Sequence, residues 1–329
     1  MAVEPELDNG ERAAWMSRGT RVAVLAACAL LLGAVALPGS FAAEPGRGVA
    51  VAGTGRVALA PAADSCDAAT TETSLTPSSS DSGPAVQRIR QRGKLIAGID
   101  TNSYLWGFRN PNSGALQGFD IDLVHALAKS ILGDPNAVEF LAVPTANRIS
   151  ALQSGQVDVV VRTMTITCAR MKLVSFSVPY FFAGQEVVAP KSSGITGFDS
   201  SLTGKKVCAA TGSTAADMVK ASSHGATVFP VANQLDCLVQ MQLGNVDATI
   251  TDNALGAGQV AQDPTVQLVG GALDSEPYGV AMKLGSDDLV RRVNAVLTDF
   301  LANQWQSEYN TWLKPLGPSP SAPVPRFAN

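Results

Sequence analysis

The run Val157-Asp158-Val159-Val160-Val161 is apolar and β-branched at all but one position. Such a segment is expected of a strand covered on both faces, which requires helices above and below a mainly parallel sheet. It runs directly into Arg162-Thr-Met-Thr-Ile-Thr-Cys-Ala-Arg170, a cluster of small hydroxyl residues closed by an arginine. The carboxyl ends of strands in open α/β sheets face the crevice where ligands bind. These residues therefore deliver hydroxyls and backbone N–H groups to that crevice. Arg170 at its mouth can grip a carboxylate through two parallel hydrogen bonds. The pattern points to capture of a small molecule bearing a carboxylate.

The surrounding chain supports the same fold class. Residues 94–100, 138–143 and 206–210 read as further strands, and 119–132 and 147–154 as helices. This alternation implies βαβ units. Asn245-Val-Asp-Ala-Thr-Ile-Thr-Asp252 repeats the design of Gln156-Val-Asp-Val-Val-Val-Arg-Thr163, each preceded by a glycine. Two lobes built on one plan are expected to face each other across a cleft. Residues 287–302 and 304–313 carry apolar residues at helical spacing and read as closing helices packed on a lobe.

Outside this region the composition changes. Residues 22–37 form an uncharged apolar run behind Arg18 and Arg21, near the length of an export-signal core and short for a bilayer span of roughly 20 residues. Residues 1–43 are therefore an export signal or membrane anchor. Leu25-Ala-Ala-Cys28 looks like a lipobox, so acylation of Cys28, cleavage near Ala42 and retention as an anchor all stay open. Each of them places the rest of the chain outside the cytoplasm. Residues 44–84 are rich in Ala, Gly, Ser, Thr and Pro and read as a linker, and 317–329 as a proline-rich tail. A formal charge of −4, with no long basic run, gives no electrostatic footprint for nucleic acid.

An oxidising compartment makes Cys66, Cys168, Cys208 and Cys237 candidates for two disulfides. Three pairings are possible. Cys208 lies in a strand and Cys237 in a helix-like segment expected beside it, which favours Cys208–Cys237 and leaves Cys66–Cys168. A metal site is not expected, because there is no C-x-x-C spacing and the only histidines are His125 and His224. No cofactor is expected either.

Several segments resemble the family 3 bacterial extracellular solute-binding proteins, the polar amino-acid receptors of ABC importers. They are Gly118-Phe-Asp-Ile-Asp-Leu123, Asn147-Arg-Ile-Ser-Ala-Leu-Gln-Ser-Gly-Gln-Val-Asp158, Met164-Thr-Ile-Thr-Cys-Ala-Arg170, Phe176-Ser-Val-Pro-Tyr180 and Glu276-Pro-Tyr-Gly279. Thr167-Cys168, Gly204 to Ser213 and Asp236-Cys-Leu-Val239 are similar to the actinobacterial glutamine/glutamate-binding lipoprotein branch. The resemblance implies a type II periplasmic-binding fold: two α/β lobes with central, mixed but mainly parallel sheets, joined by two crossover strands. Lobe 1 would take residues 85–184 plus 275–316 and lobe 2 residues 185–274, with hinges near Ala183-Gly-Gln185 and Leu273-Asp-Ser275.

The resemblance also assigns residues. Arg170 and Thr165 would hold an α-carboxylate, and Asp252 and Thr163 an α-ammonium. Thr214 would add a hydroxyl or N–H at a helix opening. Arg148 and Thr145 match contacts to a distal carboxylate, whereas Asp100 matches a position that receives a side-chain amide, so glutamate or aspartate and glutamine or asparagine both stay open. Arg162 replaces a smaller residue and is either a further anion contact or a surface charge. Tyr104 and Trp106 are either pocket walls or packing. Asp120 and Asp122 are explained by the helix dipole. The implied function is a monomeric, non-enzymatic receptor, lipid-anchored, N-terminally anchored or secreted, that delivers an amino acid to an importer permease or presents it to a membrane signalling partner. Catalysis is not expected, since no histidine or glutamate stands among the motif-matched pocket positions.

Overall fold

The computed structural model describes residues 67–329. The apolar run 22–37, Cys28 and Cys66 lie outside these residues. Among the described residues no helix is long and apolar enough to cross a membrane.

Two five-stranded sheets carry the fold. The first orders its strands Val138–Ala142, Leu95–Ile99, Val159–Val160, Ala281–Lys283, Val174–Phe176. The second orders Thr227–Val231, Lys206–Ala210, Ala248–Asp252, Gln185–Pro190, Val266–Val269. In each sheet the first three strands are parallel, and the fourth runs antiparallel to both its neighbours. The antiparallel strand of the first sheet arrives after the chain has built the second sheet, and that of the second follows directly on the first. Phe181–Ala183 and Glu276–Tyr278, the two crossover strands, pair antiparallel with Glu276 opposite Ala183 and Tyr278 opposite Phe181. This is the two-lobed, type II periplasmic-binding architecture.

Local chemistry explains the elements. Helix Phe119–Leu132 starts after Gly118, places Asp120 and Asp122 in its first turn and ends at the left-handed Gly133, while Leu123, Val124, Leu127 and Ile131 face the core. The run 157–161 contributes only Val159 and Val160 to regular ladder pairing. Its flanks still donate from Asp158 N to Ile96 O and from Val161 N to Gly98 O, so the backbone continues beside the first strand. Val159, Val160 and Val161 are fully buried, as a strand between two helical layers must be.

Lobe 1 has an aromatic centre. Trp106 is fully buried and packs edge-on against Phe181, with ring centroids 4.9 Å apart, and against Tyr278 at 5.5 Å. Its indole N–H donates to Ala254 O at 3.1 Å, on a helix of the other lobe. Trp106 is thus a packing residue that ties the lobes together. Tyr104 stacks edge-on against Phe108 at 4.9 Å.

The described part of the expected linker is structured, which corrects the composition argument. Asp67 caps helix Ala68–Glu72, strand Thr73–Leu75 pairs in parallel with Arg326–Ala328 of the tail, and Pro84 opens helix Pro84–Arg92. Residues 67–84 bury little apolar surface of their own. They are held by hydrogen bonds to lobe 1: Ser74 Oγ donates to Phe176 O at 2.8 Å and Asn294 Nδ2 donates to Leu75 O at 2.7 Å. Composition reports burial and is blind to such pairing.

Cys208 and Cys237 form a disulfide with Cα atoms 5.5 Å apart, fastening strand Lys206–Ala210 to helix Gln234–Gln242. Cys168 is also disulfide-bonded. Its expected partner, Cys66, lies outside the described residues. The 208–237 bridge closes a loop of 29 residues, for which chain entropy gives roughly 3 kcal/mol. The Cys208→Ala/Cys237→Ala double variant is expected to lose about that much in urea unfolding; an unchanged midpoint and slope would show that the bridge does not constrain the unfolded chain.

Candidate ligand-binding site

The first lobe's strand end delivers an unusual backbone. Thr163 has φ +41°, a left-handed conformation that a β-branched residue adopts only under constraint. The constraint is Asp120, whose Oδ2 accepts from Thr163 N at 3.0 Å while Oδ1 accepts from the Tyr180 hydroxyl at 2.8 Å. Asp120 is buried, and burial raises its carboxyl to about 7. The dipole explanation is therefore incomplete for Asp120, which fixes the geometry of the site. Asp122 accepts from the Trp312 indole N–H at 2.6 Å.

Three arginines converge beside Thr163, each at least nine-tenths buried. Arg170 Nη1 donates to Thr165 O at 2.8 Å and Nη2 to Gly212 O at 3.1 Å. Arg148 donates from Nε to Thr145 O at 3.0 Å and from Nη2 to the same Gly212 O at 3.3 Å. Arg162 ion-pairs with Asp100 at 2.8 Å and donates to Thr145 Oγ1 at 2.9 Å and Asn233 Oδ1 at 3.0 Å. The surface-charge alternative for Arg162 is thereby overturned: Asp100 neutralises it inside the protein. Asp100 is further held by Ser103 Oγ at 2.7 Å and Thr101 N at 2.8 Å. Thr145 also donates to Gln234 Oε1 at 3.2 Å across the lobes.

Burial lowers the pKa of all three guanidinium groups, furthest for Arg148, which also faces the charges of Arg170 and Arg162. Among the described residues no carboxylate stands within ion-pair distance of Arg148 or Arg170; both end on the carbonyl of Gly212. A neutral carbonyl is a weaker partner for two cations than a carboxylate is. Gly212 lies on lobe 2 with φ +79°, and a Cβ there would come within 2.9 Å of Ala146 Cα on lobe 1. Only glycine permits this approach.

Opposite the arginines lies an acidic group. Asp252 ends strand Ala248–Asp252 and accepts from Gln185 Nε2 and from the Tyr278 hydroxyl. Thr214, at the first turn of helix Thr214–Ala221, accepts from Gln185 Nε2 at 3.0 Å and donates to Glu276 Oε2 at 3.2 Å. The Thr165 hydroxyl also hydrogen-bonds Glu276. Burial raises both acids, Asp252 to about 6 and Glu276, which also faces the Asp252 charge, to about 8.

The structure thus gathers Arg170, Thr165, Asp252, Thr214, Arg148 and Thr145 around one interlobe seam, with Thr163 and Asp100 at its lobe-1 edge. Glu276, Gln185 and Tyr278 join them, and the sequence reading missed all three as site residues. Counting no glutamate in the pocket was wrong, because Glu276 is 4% exposed and touches Thr214 and Thr165. Glu276 and Tyr278 belong to a recognised motif, which was the available signal; Gln185 carries none. The lobes are closed. Away from the arginines, between Ser103 and Tyr104 on one side and Gln234, Leu255 and Gln259 on the other, a cavity of about 10 Å³ lies in the same interlobe contact.

These raised carboxyls set a pH dependence. Asp120, Asp252 and Glu276 have ordinary values of 3.8, 3.8 and 4.5 and rise to about 7, 6 and 8 in the folded chain. The native state holds more protons than the unfolded one across that interval. Their contribution to stability is complete below the unfolded values and is lost as pH climbs through the folded ones. The melting temperature of the ligand-free protein is expected to fall from about pH 5 to about pH 8.5, with a shallower fall in Glu276→Gln; a flat wild-type profile would contradict the assigned burial.

The comparisons with known proteins agree with this geometry. The chain matches the bacterial extracellular solute-binding proteins, family 3, over residues 95–315. The ABC transporter glutamine-binding protein GlnH of Bacillus subtilis is 37% identical over 227 residues, covering 69% of this chain and 83% of GlnH. The glutamate/glutamine/aspartate/asparagine-binding protein BztA of Rhodobacter capsulatus is 30% identical over 223 residues, 64% of this chain and 65% of BztA. Among solved structures, an ancestral arginine-binding protein bound to glutamine is similar with TM-score 0.63 and 39% identity, over 67% of this chain and 98% of that one. The shared fold, the two crossover strands and the match across most of the described residues place this chain in the family 3 bacterial extracellular solute-binding proteins.

Proposed function

We propose that this receptor captures an acidic amino acid, glutamate or aspartate, between its lobes outside the cytoplasm and delivers it to the permease of an ABC importer. The observation that carries this reading is the unequal treatment of the arginines. Arg162 is already neutralised by Asp100 at 2.8 Å, whereas Arg148 and Arg170 meet only carbonyls. Two buried guanidinium groups without carboxylate partners suit a ligand with two carboxylates, the α-group on Arg170 and the distal one on Arg148. Asp252 on the opposite lobe receives the ammonium. A ligand that joins both lobes makes closure ligand-dependent, because only the closed state gains both sets of contacts.

A second reading, glutamine or asparagine, is favoured by the glutamine-binding relatives and by Asp100, which can accept an amide if Arg162 turns away. A sensor presenting the same pocket to a membrane signalling partner needs no different site. Attachment through Cys28 or an N-terminal anchor, and a monomeric state, complete the proposal.

Thermal-shift titration of the purified protein separates these readings, since a ligand stabilises by RT ln(1 + [L]/Kd), about 4 kcal/mol at a thousandfold excess. Glutamate and aspartate are expected to shift the transition most. Equal or larger shifts with the amides favour the second reading, and no shift with any of the four removes the amino-acid assignment. Arg170→Ala is expected to weaken binding by about tenfold or more, as loss of one member of a buried charge pair does.

A further inference from the structure

We infer that Glu276, on a crossover strand, and Gln185, just beyond the other crossover strand, complete with Asp252 the seat of the ligand's α-ammonium, so that the amine is gripped at the hinge itself. This rests on the proposed reading that the ligand is an amino acid held by Arg170 through its α-carboxylate. Gln185 opens strand Gln185–Pro190 and lies directly opposite Asp252 in the sheet; Glu276 opens strand Glu276–Tyr278 opposite Ala183. Gln185 is fully buried and Glu276 is 4% exposed.

Apart from the proton that Glu276 itself holds, the donors in this group are fewer than its acceptors. The Gln185 side-chain amide serves Asp252, Thr214 and Glu276, the Tyr278 hydroxyl serves Asp252, and the Thr214 and Thr165 hydroxyls serve Glu276. Gln185 Oε1 has no donor at all, although its atom is fully buried. A buried acceptor left unmade is costly, and such an orphan beside two acids calls for a donor from outside the chain. Arg170 does not supply it, because its Nη atoms end on Thr165 O and Gly212 O. An ammonium offers three N–H donors and a positive charge. Asp252, Glu276 and Gln185 offer it three acceptors, two of them acidic. A primary ammonium therefore matches this group in both charge and donor count.

Two consequences follow. Recognition becomes selective for the amine, so a dicarboxylate without it forfeits the hinge contacts. Binding also becomes linked to protons. Glu276 faces Asp252, Asp274 and Arg170 as its charged neighbours, with Thr165, Thr214 and Gln185 around it, and burial keeps it protonated near neutral pH. An incoming ammonium favours the carboxylate, and that proton leaves to solvent.

The test is isothermal titration of the full-length protein with glutamate and with glutarate, its analogue lacking the amine, for the wild type and Glu276→Gln. The expected result is a loss of about tenfold or more for glutamate in the variant, with glutarate affinity changed less than about twofold. Parallel losses for both ligands, or none for glutamate, overturn the inference while leaving the amino-acid reading intact; absence of wild-type binding to glutamate, aspartate and both their amides defeats the reading itself. A second measurement needs no variant. Wild-type titrations near neutral pH in buffers of different ionisation enthalpy are expected to show net proton release on glutamate binding and none on glutarate, and equal proton exchange for the two ligands overturns the inference.

Discussion

Three guanidinium groups buried in one seam between two lobes are the constraint on which the rest of this structure depends. Removing such groups from water is expensive, and the cost is offset only where good acceptors surround them. Each arginine is met differently. Arg162 has an internal counter-ion in Asp100, and Arg148 and Arg170 share the carbonyl of Gly212 from the opposite lobe. Closure of the lobes is therefore part of how the cations are satisfied, and the close approach exists because residue 212 has no side chain.

The hinge is the second half of the same problem. The crossover strands are short, yet one of them carries Glu276 and Tyr278 and the other leads directly into Gln185, and these three reach Asp252 and Thr214 on lobe 2 and Thr165 on lobe 1. Motion about these strands changes the contacts of the acids directly. Positive charge gathers on the lobe-1 strand end and negative charge at the hinge, giving the seam a polarity that matches an amino acid's own. Behind it, Asp120 holds Thr163 in its left-handed conformation, and the aromatic centre around Trp106 keeps both in place.

Much of this was legible in the chain. The β-branched run at 157–161, its echo before Asp252 and the motif order around Arg170 identified the fold, because periodicity and strand-end chemistry are local properties. Helix 119–132 was legible to its ends, since Gly118 and Gly133 bracket an apolar stripe. The arm at 67–84 was not, because its order comes from backbone pairing with residues 326–328, far away in sequence. Arg162 could not be assigned either: whether an arginine is a surface charge or a buried one depends on where Asp100 lies.

The sequence by itself determined the two-lobed α/β architecture, the family and the set of residues able to meet a carboxylate and an amine, because these follow from side-chain type, spacing and order. Only the tertiary structure decided how those charges pair. Asp100 is taken by Arg162, Arg148 and Arg170 are left facing a carbonyl, and Glu276 and Gln185 come from the two chain crossings to the side of Asp252. Coulomb interactions and hydrogen bonds act over a few ångströms in space, and folding brings those distances about between residues separated by scores of positions in the chain.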